Sequence, residues 1–375
     1  MLNLNVFKHF SKSGQKAGQI GANVKLPKHL QFTPQELKQF RNILKDIRHA
    51  VVVSHIGPDV DALMSITSLA HVLQYNSMGT IRLVYEDYIL EELREHQTTK
   101  LIALTNNLVE TLEQHQPSHV FIIDINHTYR LTRQDPAPLK EFLEKKTKTI
   151  VLDHHVGGMD FKPFFSIIKP YASATELLFY LIKALDLEFN AIVAQDILAG
   201  ILSDTDMLRY AQVDKHDIHI TLNAISQLIN SGADFNYAVK LQDFVLNEKI
   251  LKYIKIYLNN LTIEGGIAYS YIKDPIKDEE RMFVSRARQY VLEYFLKKLS
   301  TPIAFMITPL KDNTACKVSI RSVPPYEIKQ VAEEFGGGGH PYASGIFARN
   351  MSVDELLPKL LQKLQNVVKK YQPTE

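Results

Sequence analysis

The sequence predicts an α/β protein: a mostly parallel sheet with helices on both faces, joined by a linker helix to a smaller α/β C-terminal domain. Three observations lead there. Short β-branched or apolar runs at 51–53, 81–85, 120–123 and 149–152 alternate with stretches of helical period such as 62–74 and 101–114, and such alternation builds a parallel sheet buried on both sides. Three of the runs lead straight into His or Asp, as in open sheets that gather a site at the carboxyl ends of their strands. After a long helical stretch, a second series of strands and helices begins. The chain has 375 residues, 45% hydrophobic and 22% charged, which gives room for two domains and the balance of a globular protein.

Residues 1–46 are expected to form an N-terminal extension, partly helical. Its first part has weak periodicity and scattered Gly, Ser and Lys, while Thr33-Pro34-Gln35-Glu36 signals a helix start with a capping box. Lys8, Lys12, Lys16, Lys25 and Lys28 make this end basic. A solvated basic terminus is preferred over an RNA tether.

Residues 47–234 hold the strand and helix alternation. Residues 51–53 run into Ser54-His55, 120–123 into Asp124, and 149–152 into Asp153-His154-His155. Ser203-Asp204-Thr205-Asp206 ends the apolar run 192–202, and Gly232-Ala233-Asp234 closes the segment. Residues 235–258 show no turn signal and are expected to be one linker helix. Residues 259–375 form the second domain, with strands near 267–272, 303–308 and 317–321, helices near 284–298 and 328–335, and the run Gly336 to Gly339 before His340.

Composition narrows the chemistry. Cys316 is the single cysteine, so an internal disulfide and a thiolate metal cluster are excluded and any metal falls to His, Asp and Glu. No window approaches the roughly 18 uninterrupted apolar residues of a membrane span, and the opening MLNLNVFKHFSKSGQK lacks a signal-peptide core. A cytoplasmic protein without membrane contact is expected. The net charge of +2 argues against binding long duplex DNA, while a short anionic substrate is compatible. A homodimer is also compatible.

His55-x3-Asp59-x-Asp61 offers an imidazole and two carboxylates that a turn can set on one side of a crevice, where they could serve adjacent cations. An Asp that only caps the following helix is the plainer alternative, and Asp61 is the first candidate for it. Asp124 could merely close an Asx turn. Asp153-His154-His155 is harder to dismiss, because a carboxylate and two imidazoles at the end of an apolar strand are costly to bury without partners. Asp204 adds a fourth pole. The set is rich in oxygen, with some nitrogen and no sulfur, which suits manganese or magnesium better than structural zinc, and its size points to two ions.

These motifs in this order, followed by Arg321-Ser322 and Gly337-Gly338-Gly339-His340, resemble the DHH phosphoesterases with their DHH-associated C-terminal domain, over residues 47–375. The resemblance implies two divalent cations, manganese with magnesium or cobalt as alternatives. His55 and Asp59 would hold one, and Asp61, His154 and Asp204 the other, with Asp124 bridging. Asp153 would steady an imidazole, and His155 would face the substrate phosphate. Arg209 matches a position that often faces phosphate, with an ordinary surface Arg equally open. The glycine run would let backbone N–H groups approach a phosphate. With Arg321, Ser322 and His340 it would hold substrate across an interdomain cleft.

Departures from the family pattern are Gly57 where Asn is usual, Leu63 and Met64 near a usual Gly, Asp206 in place of a common Gly, and Tyr342 in a variable slot. They touch no expected ligand and leave substrate preference open. The chain looks most like the NrnA-type branch, which implies hydrolysis of short oligoribonucleotides to mononucleotides, or removal of the 3′-phosphate of adenosine 3′,5′-bisphosphate (pAp). A soluble phosphodiesterase of cyclic or linear dinucleotides is the alternative. A non-catalytic nucleotide-binding protein has no need of six metal-directed residues.

Overall fold

The computed structural model describes residues 24–208, 218–242, 247–277, 280–310 and 314–371. The chain divides into two units, Met1–Asp243 and Phe244–Glu375.

The first unit opens with helix α1, Pro34–Asp46, started by the expected reciprocal cap. The Glu36 N–H donates to Thr33 Oγ1 at 3.1 Å, and the Thr33 N–H donates to Glu36 Oε2 at 2.7 Å. Phe40, Ile43 and Leu44 of α1, and Leu30 before it, are buried in the main core. This part of the expected extension therefore belongs to the first domain, while Lys8, Lys12 and Lys16 lie outside the described residues.

A six-stranded sheet follows in the order β3-β2-β1-β4-β5-β6. Its strands are β1 His49–Val53, β2 Thr80–Tyr85, β3 Ile102–Leu104, β4 His119–Ile123, β5 Lys148–Asp153 and β6 Phe165–Ile168, every neighbouring pair parallel. Alternation along the strands feeds two cores. Ala50, Val52, Phe121, Ile123, Ile150 and Leu152 face α1, α2 (Val60–Asn76), α5 (Ala174–Leu185) and α6 (Ala191–Asp204). Val51, Val53, Val120, Ile122 and Val151 face α3 (Leu108–His115) and α4 (Pro136–Lys145). Strand order reverses between β1 and β4, and at such a switch point the loops leaving the two strands part and open a crevice.

Two expectations need correction. Residues 101–114 are not one helix: Ile102–Leu104 pairs with β2, and the helix starts at Leu108. Asn107 caps it, accepting from the Glu110 N–H at 3.2 Å. Residues 235–258 are not one linker helix either. After α7 (Ile218–Asn230) come α8, Phe235–Lys240, and a separate α9, Glu248–Asn259, whose cap Asn247 accepts from the Ile250 N–H at 3.0 Å.

The second unit has a six-stranded mixed sheet in the order β11-β12-β10-β9-β8-β7. The strands are β7 Thr262–Glu264, β8 Ile267–Tyr271, β9 Ile303–Pro309, β10 Ala315–Ser322, β11 Gly338–His340 and β12 Ala343–Arg349. Helix α10 is Arg281–Lys298, α11 is Lys329–Glu334 and α12 is Val353–Lys370. On one face Val318, Ile320, Ile346 and Ala348 pack with Leu356, Leu360 and Leu364 of α12. On the other, Ala268, Ala304 and Met306 pack with Tyr257 of α9 and Val291 and Phe295 of α10. The glycine run is not simply a loop, since Gly338–His340 pairs antiparallel with β12 as an edge strand. No helix among the described residues is long and apolar enough to cross a membrane.

Candidate metal centre

The ends of β1, β4 and β5 lie side by side, and Ser54 Oγ fastens the first two by donating to the Ile123 carbonyl at 2.7 Å. His55 follows. Its Nδ1 lies 3.1 Å from the Ile56 carbonyl, so its Nε2 faces Asp124 Oδ2 at 3.3 Å and Asp59 Oδ2 at 3.8 Å. The turn is pinned at three points: the Tyr85 hydroxyl donates to the His55 carbonyl, the Ile56 N–H to Arg130 O at 2.7 Å, and the Gly57 N–H to Asp87 Oδ2 at 2.6 Å. Gly57 has φ +71°, a left-handed conformation that Gly and Asn both tolerate, which explains why either residue can stand there.

Asp59, not Asp61, caps α2. Its Oδ1 accepts from the Ala62 N–H at 2.8 Å, leaving Oδ2 turned to His55. Asp61 is fully buried. Its carboxylate accepts from the Ala174 N–H at 2.9 Å, the Thr175 N–H at 3.2 Å and the Thr175 hydroxyl at 2.5 Å.

Asp124 stands at the end of β4 with φ +67°, and its N–H donates to Leu152 O at 3.0 Å. A non-glycine residue in this region is uncommon and costs energy, though Asp bears it better than most. His154 Nδ1 donates to the Tyr171 carbonyl at 3.1 Å, which aims Nε2 at Asp124 Oδ1 and Asp204 Oδ2, each at 3.3 Å. Asp204 is the last residue of α6, where the helix dipole disfavours an anion. Asp153 is fully buried and accepts from His155 twice, from N–H at 3.1 Å and from Nδ1 at 2.9 Å.

Three sets of donor atoms thus converge, each within 4.8 Å: His55, Asp59 and Asp124; Asp61, Asp124, His154 and Asp204; and Asp124, Asp153, His154 and His155. Asp124 is common to all three. Asp124 Oδ1 and His154 Nε2 are buried, yet neither has a hydrogen-bond partner of proper geometry. Two acceptor-capable atoms 3.3 Å apart without a bond between them fit a site shaped for a cation.

The charges say the same. Burial pushes the Asp61 carboxyl up to about 7, with Asp124 adding to the effect, and burial with Asp61 and Asp59 pushes Asp204 well above the carboxylate range. Burial pulls the His55 imidazole down, but Asp124 and Asp59 outweigh it and hold it at about 9. His154 is likewise raised well above normal against its burial, by Asp124 and Asp204. Asp124 itself is held far below its usual value despite burial, by His154 and His55. The shifts run in one sense: the buried carboxylates Asp61 and Asp204 resist ionising beside one another, and the imidazoles of His55 and His154 are drawn toward the positive form by the carboxylates they face.

All six residues expected as ligands are therefore brought together, with Asp153 and His155 beside them. Arg209 lies outside the described residues. In the second unit Arg321 pairs in register with Ala304 and Ala343. Ser322 is a correction: strand alternation turns its side chain to the buried face, opposite Arg321, so the hydroxyl does not share a surface with that guanidinium. The glycines are needed for packing as well as any ligand. A Cβ on Gly337 would lie 2.1 Å from Gly345 O, and one on Gly339, at φ +135°, 2.6 Å from Ala343 O. One on Gly338 would meet nothing within 4 Å.

Sequence reasoning missed the supports: Thr175, Tyr171, Asp87 and Gly200. The one available signal was a glycine in the middle of the apolar helix α6.

The DHH family, N-terminal domain, matches residues 49–203, and the DHHA1 domain matches residues 265–370. The chain is 24% identical to the cyclic-di-AMP phosphodiesterase PdeA of Listeria monocytogenes, over 84% of this chain and 47% of that protein, so it spans about half the length of that relative. It is 20% identical to the bifunctional oligoribonuclease and PAP phosphatase NrnA of Mycoplasma genitalium, over 86% of this chain and 96% of that one. An exopolyphosphatase-related protein of Bacteroides fragilis shares the fold with a TM-score of 0.76, at 21% identity over 92% of this chain and 100% of that one. With the first domain spanning the strand ends that carry His55, Asp124 and His154, and the second spanning Arg321 and the glycine run, the chain carries a DHH-family N-terminal domain followed by a DHHA1 domain.

Proposed function

We propose that this protein is a two-metal phosphoesterase that hydrolyses short oligoribonucleotides to mononucleotides, the 3′-phosphate of pAp, or both. The observation that carries the proposal is Asp124, whose two carboxylate oxygens face separate ligand sets, Oδ2 toward His55 and Oδ1 toward His154. His55 and Asp59 would hold one divalent cation, and Asp61, His154 and Asp204 the other, with Asp124 between them and manganese the ion expected from the oxygen-rich donors. Bound there, the cations supply Lewis acidity for displacement at a phosphoester.

The chain's own residues do the rest. Tyr171 O and the Ile56 carbonyl orient the two imidazoles so that each Nε2 faces the cluster. Thr175 and two backbone N–H groups fix Asp61. Asp153 accepts a hydrogen bond from His155 Nδ1, turning the other edge of that ring toward the substrate phosphate. Arg321, His340 and the glycine run of the second unit anchor substrate away from the bond that breaks, and this selects short chains. Similarity to NrnA over nearly its whole length supports the choice.

A second reading, a phosphodiesterase of cyclic or linear dinucleotides, is supported by the similarity to PdeA. Manganese-dependent hydrolysis of pAp, pApA, a five-nucleotide RNA, pyrophosphate and cyclic di-AMP, compared side by side, decides between them. Turnover of pyrophosphate alone would exclude both.

A further inference from the structure

One face of the second sheet is only half covered. Helices α9 and α10 lie over β8 and β9, through Ala268, Ala304 and Met306, and α10 also reaches part of β10. On β10 and β12 the residues of that same face alternate with buried ones and are left open: Lys317, Gly345, Phe347 and Arg349 are exposed, and Ser319 and Arg321 are partly so. Register places Lys317 directly opposite Phe347, and Arg321 opposite Ala343. Phe347 is 48% exposed, and the Arg349 guanidinium lies 5.7 Å from its ring centroid. None of the outward residues of the two strands is acidic.

A half-exposed aromatic ring on a sheet surface beside cations is how proteins receive single-stranded nucleic acid, with bases stacking on the ring and phosphates following the charges. A second copy or a protein partner would bury a larger apolar patch, and here there is one ring among cations. We propose that the open face of β10 and β12 is a binding track for single-stranded RNA, with Phe347 as the stacking platform and Lys317 and Arg349 as its phosphate contacts. Lys317 and Phe347 lie four register positions from Arg321, about 13 Å along the strands. A nucleotide held at Arg321 and a base stacked on Phe347 are therefore different residues of one chain. The track takes hold only of substrates longer than those Arg321 and the glycine run already grip. The inference rests on the proposed function in taking the substrate to be a ribonucleotide chain.

The test is binding of phosphorothioate-linked RNA, a pentamer and a dimer, to the full chain in Mn2+, with hydrolysis of the ordinary oligomers measured in parallel. The wild type should bind the pentamer more tightly than the dimer. Phe347→Ala should weaken pentamer binding roughly tenfold or more, the loss expected for one stacked base, and narrow the preference for length. Phe347→Tyr should restore it, which separates stacking from folding. Lys317→Ala and Arg349→Ala should each flatten the dependence of log Kd on log salt by about 0.7. Equal binding of pentamer and dimer, or a pentamer affinity indifferent to Phe347, overturns the track and leaves the proposed function standing. So does a Phe347→Ala change confined to oligomeric state, which would make the face a self-association surface. Phe347-dependent pentamer binding by a protein that hydrolyses no nucleotide would keep the track and remove the proposed function.

Discussion

Gly200 leaves the space that the Asp61 carboxylate occupies: a Cβ on Gly200 would stand 2.4 Å from Asp61 Oδ1 and 2.5 Å from Thr175 Oγ1. The glycine sits within α6, where it costs about 1 kcal/mol of helix propensity against alanine. Gly200→Ala should therefore lose about 1–3 kcal/mol by overpacking instead of gaining, and should weaken manganese binding as Asp61 is displaced. Denaturant melts with metal titration check both. A variant stabilised by the propensity gain would refute the close packing of helix and ligand.

The metal-free centre predicts a pH dependence. His55 is raised from 6.5 to about 9, so the stability it contributes is complete below 6.5 and is lost as pH rises through about 9. Asp61, raised from 3.8 to about 7, acts in the same sense at lower pH, stabilising less as pH climbs through 7. Asp124 works oppositely, losing its contribution only in strong acid. Metal-free protein should accordingly grow less stable from pH 6.5 to 9, and excess Mn2+ should cancel that fall. Calorimetric titration at pH 7.5 should show proton release on metal binding, since ligand imidazoles must be neutral. Binding without proton release would mean that His55 and His154 are not ligands.

The ligand set was legible because each member falls at the end of an apolar strand or helix, a position that pattern alone can locate. What supports the ligands was not. Thr175 and Tyr171 reach Asp61 and His154 through α5 and the loop before it, and the Thr175 to Asp61 contact spans 114 residues of sequence. Capping was misplaced by two residues, from Asp59 to Asp61, because which carboxylate turns back to the helix depends on the path of the turn at Gly57. The three-residue strand β3 is too short to show a period, so its residues merged with the helix after them.

Asp124 offers a cleaner test than alanine allows. At φ +67° an alanine pays a backbone cost of about 1–2 kcal/mol, whereas Asn tolerates the region. Asp124→Asn should fold and keep the shape of the site, yet lower kcat by at least about a hundredfold, beyond the range seen for loss of an outer partner. Asp124→Ala should abolish hydrolysis. Activity of either variant within a few-fold of wild type in excess manganese would end the shared-ligand assignment.

The last prediction separates anchoring from chemistry in the second unit. Gly337 and Gly339 are held by packing, so alanine at either should destabilise the β11–β12 hairpin. Gly338 is not, because its Cβ would meet nothing within 4 Å. Gly338→Ala should leave stability within about 0.5 kcal/mol, as for an open surface site, and raise KM if a substrate phosphate lies against that backbone. Contacts made equally in the ground and transition states change KM and leave kcat nearly alone. Arg321→Ala and His340→Ala should thus raise KM for short RNA and pAp more than for bis-p-nitrophenyl phosphate, which is too small to reach such an anchor. Some loss of kcat on nucleotides is expected too, since remote binding energy helps position the reacting phosphorus. Equal losses on the generic ester and on nucleotides would place these residues with the metal centre or the fold and end the division of labour between the two units.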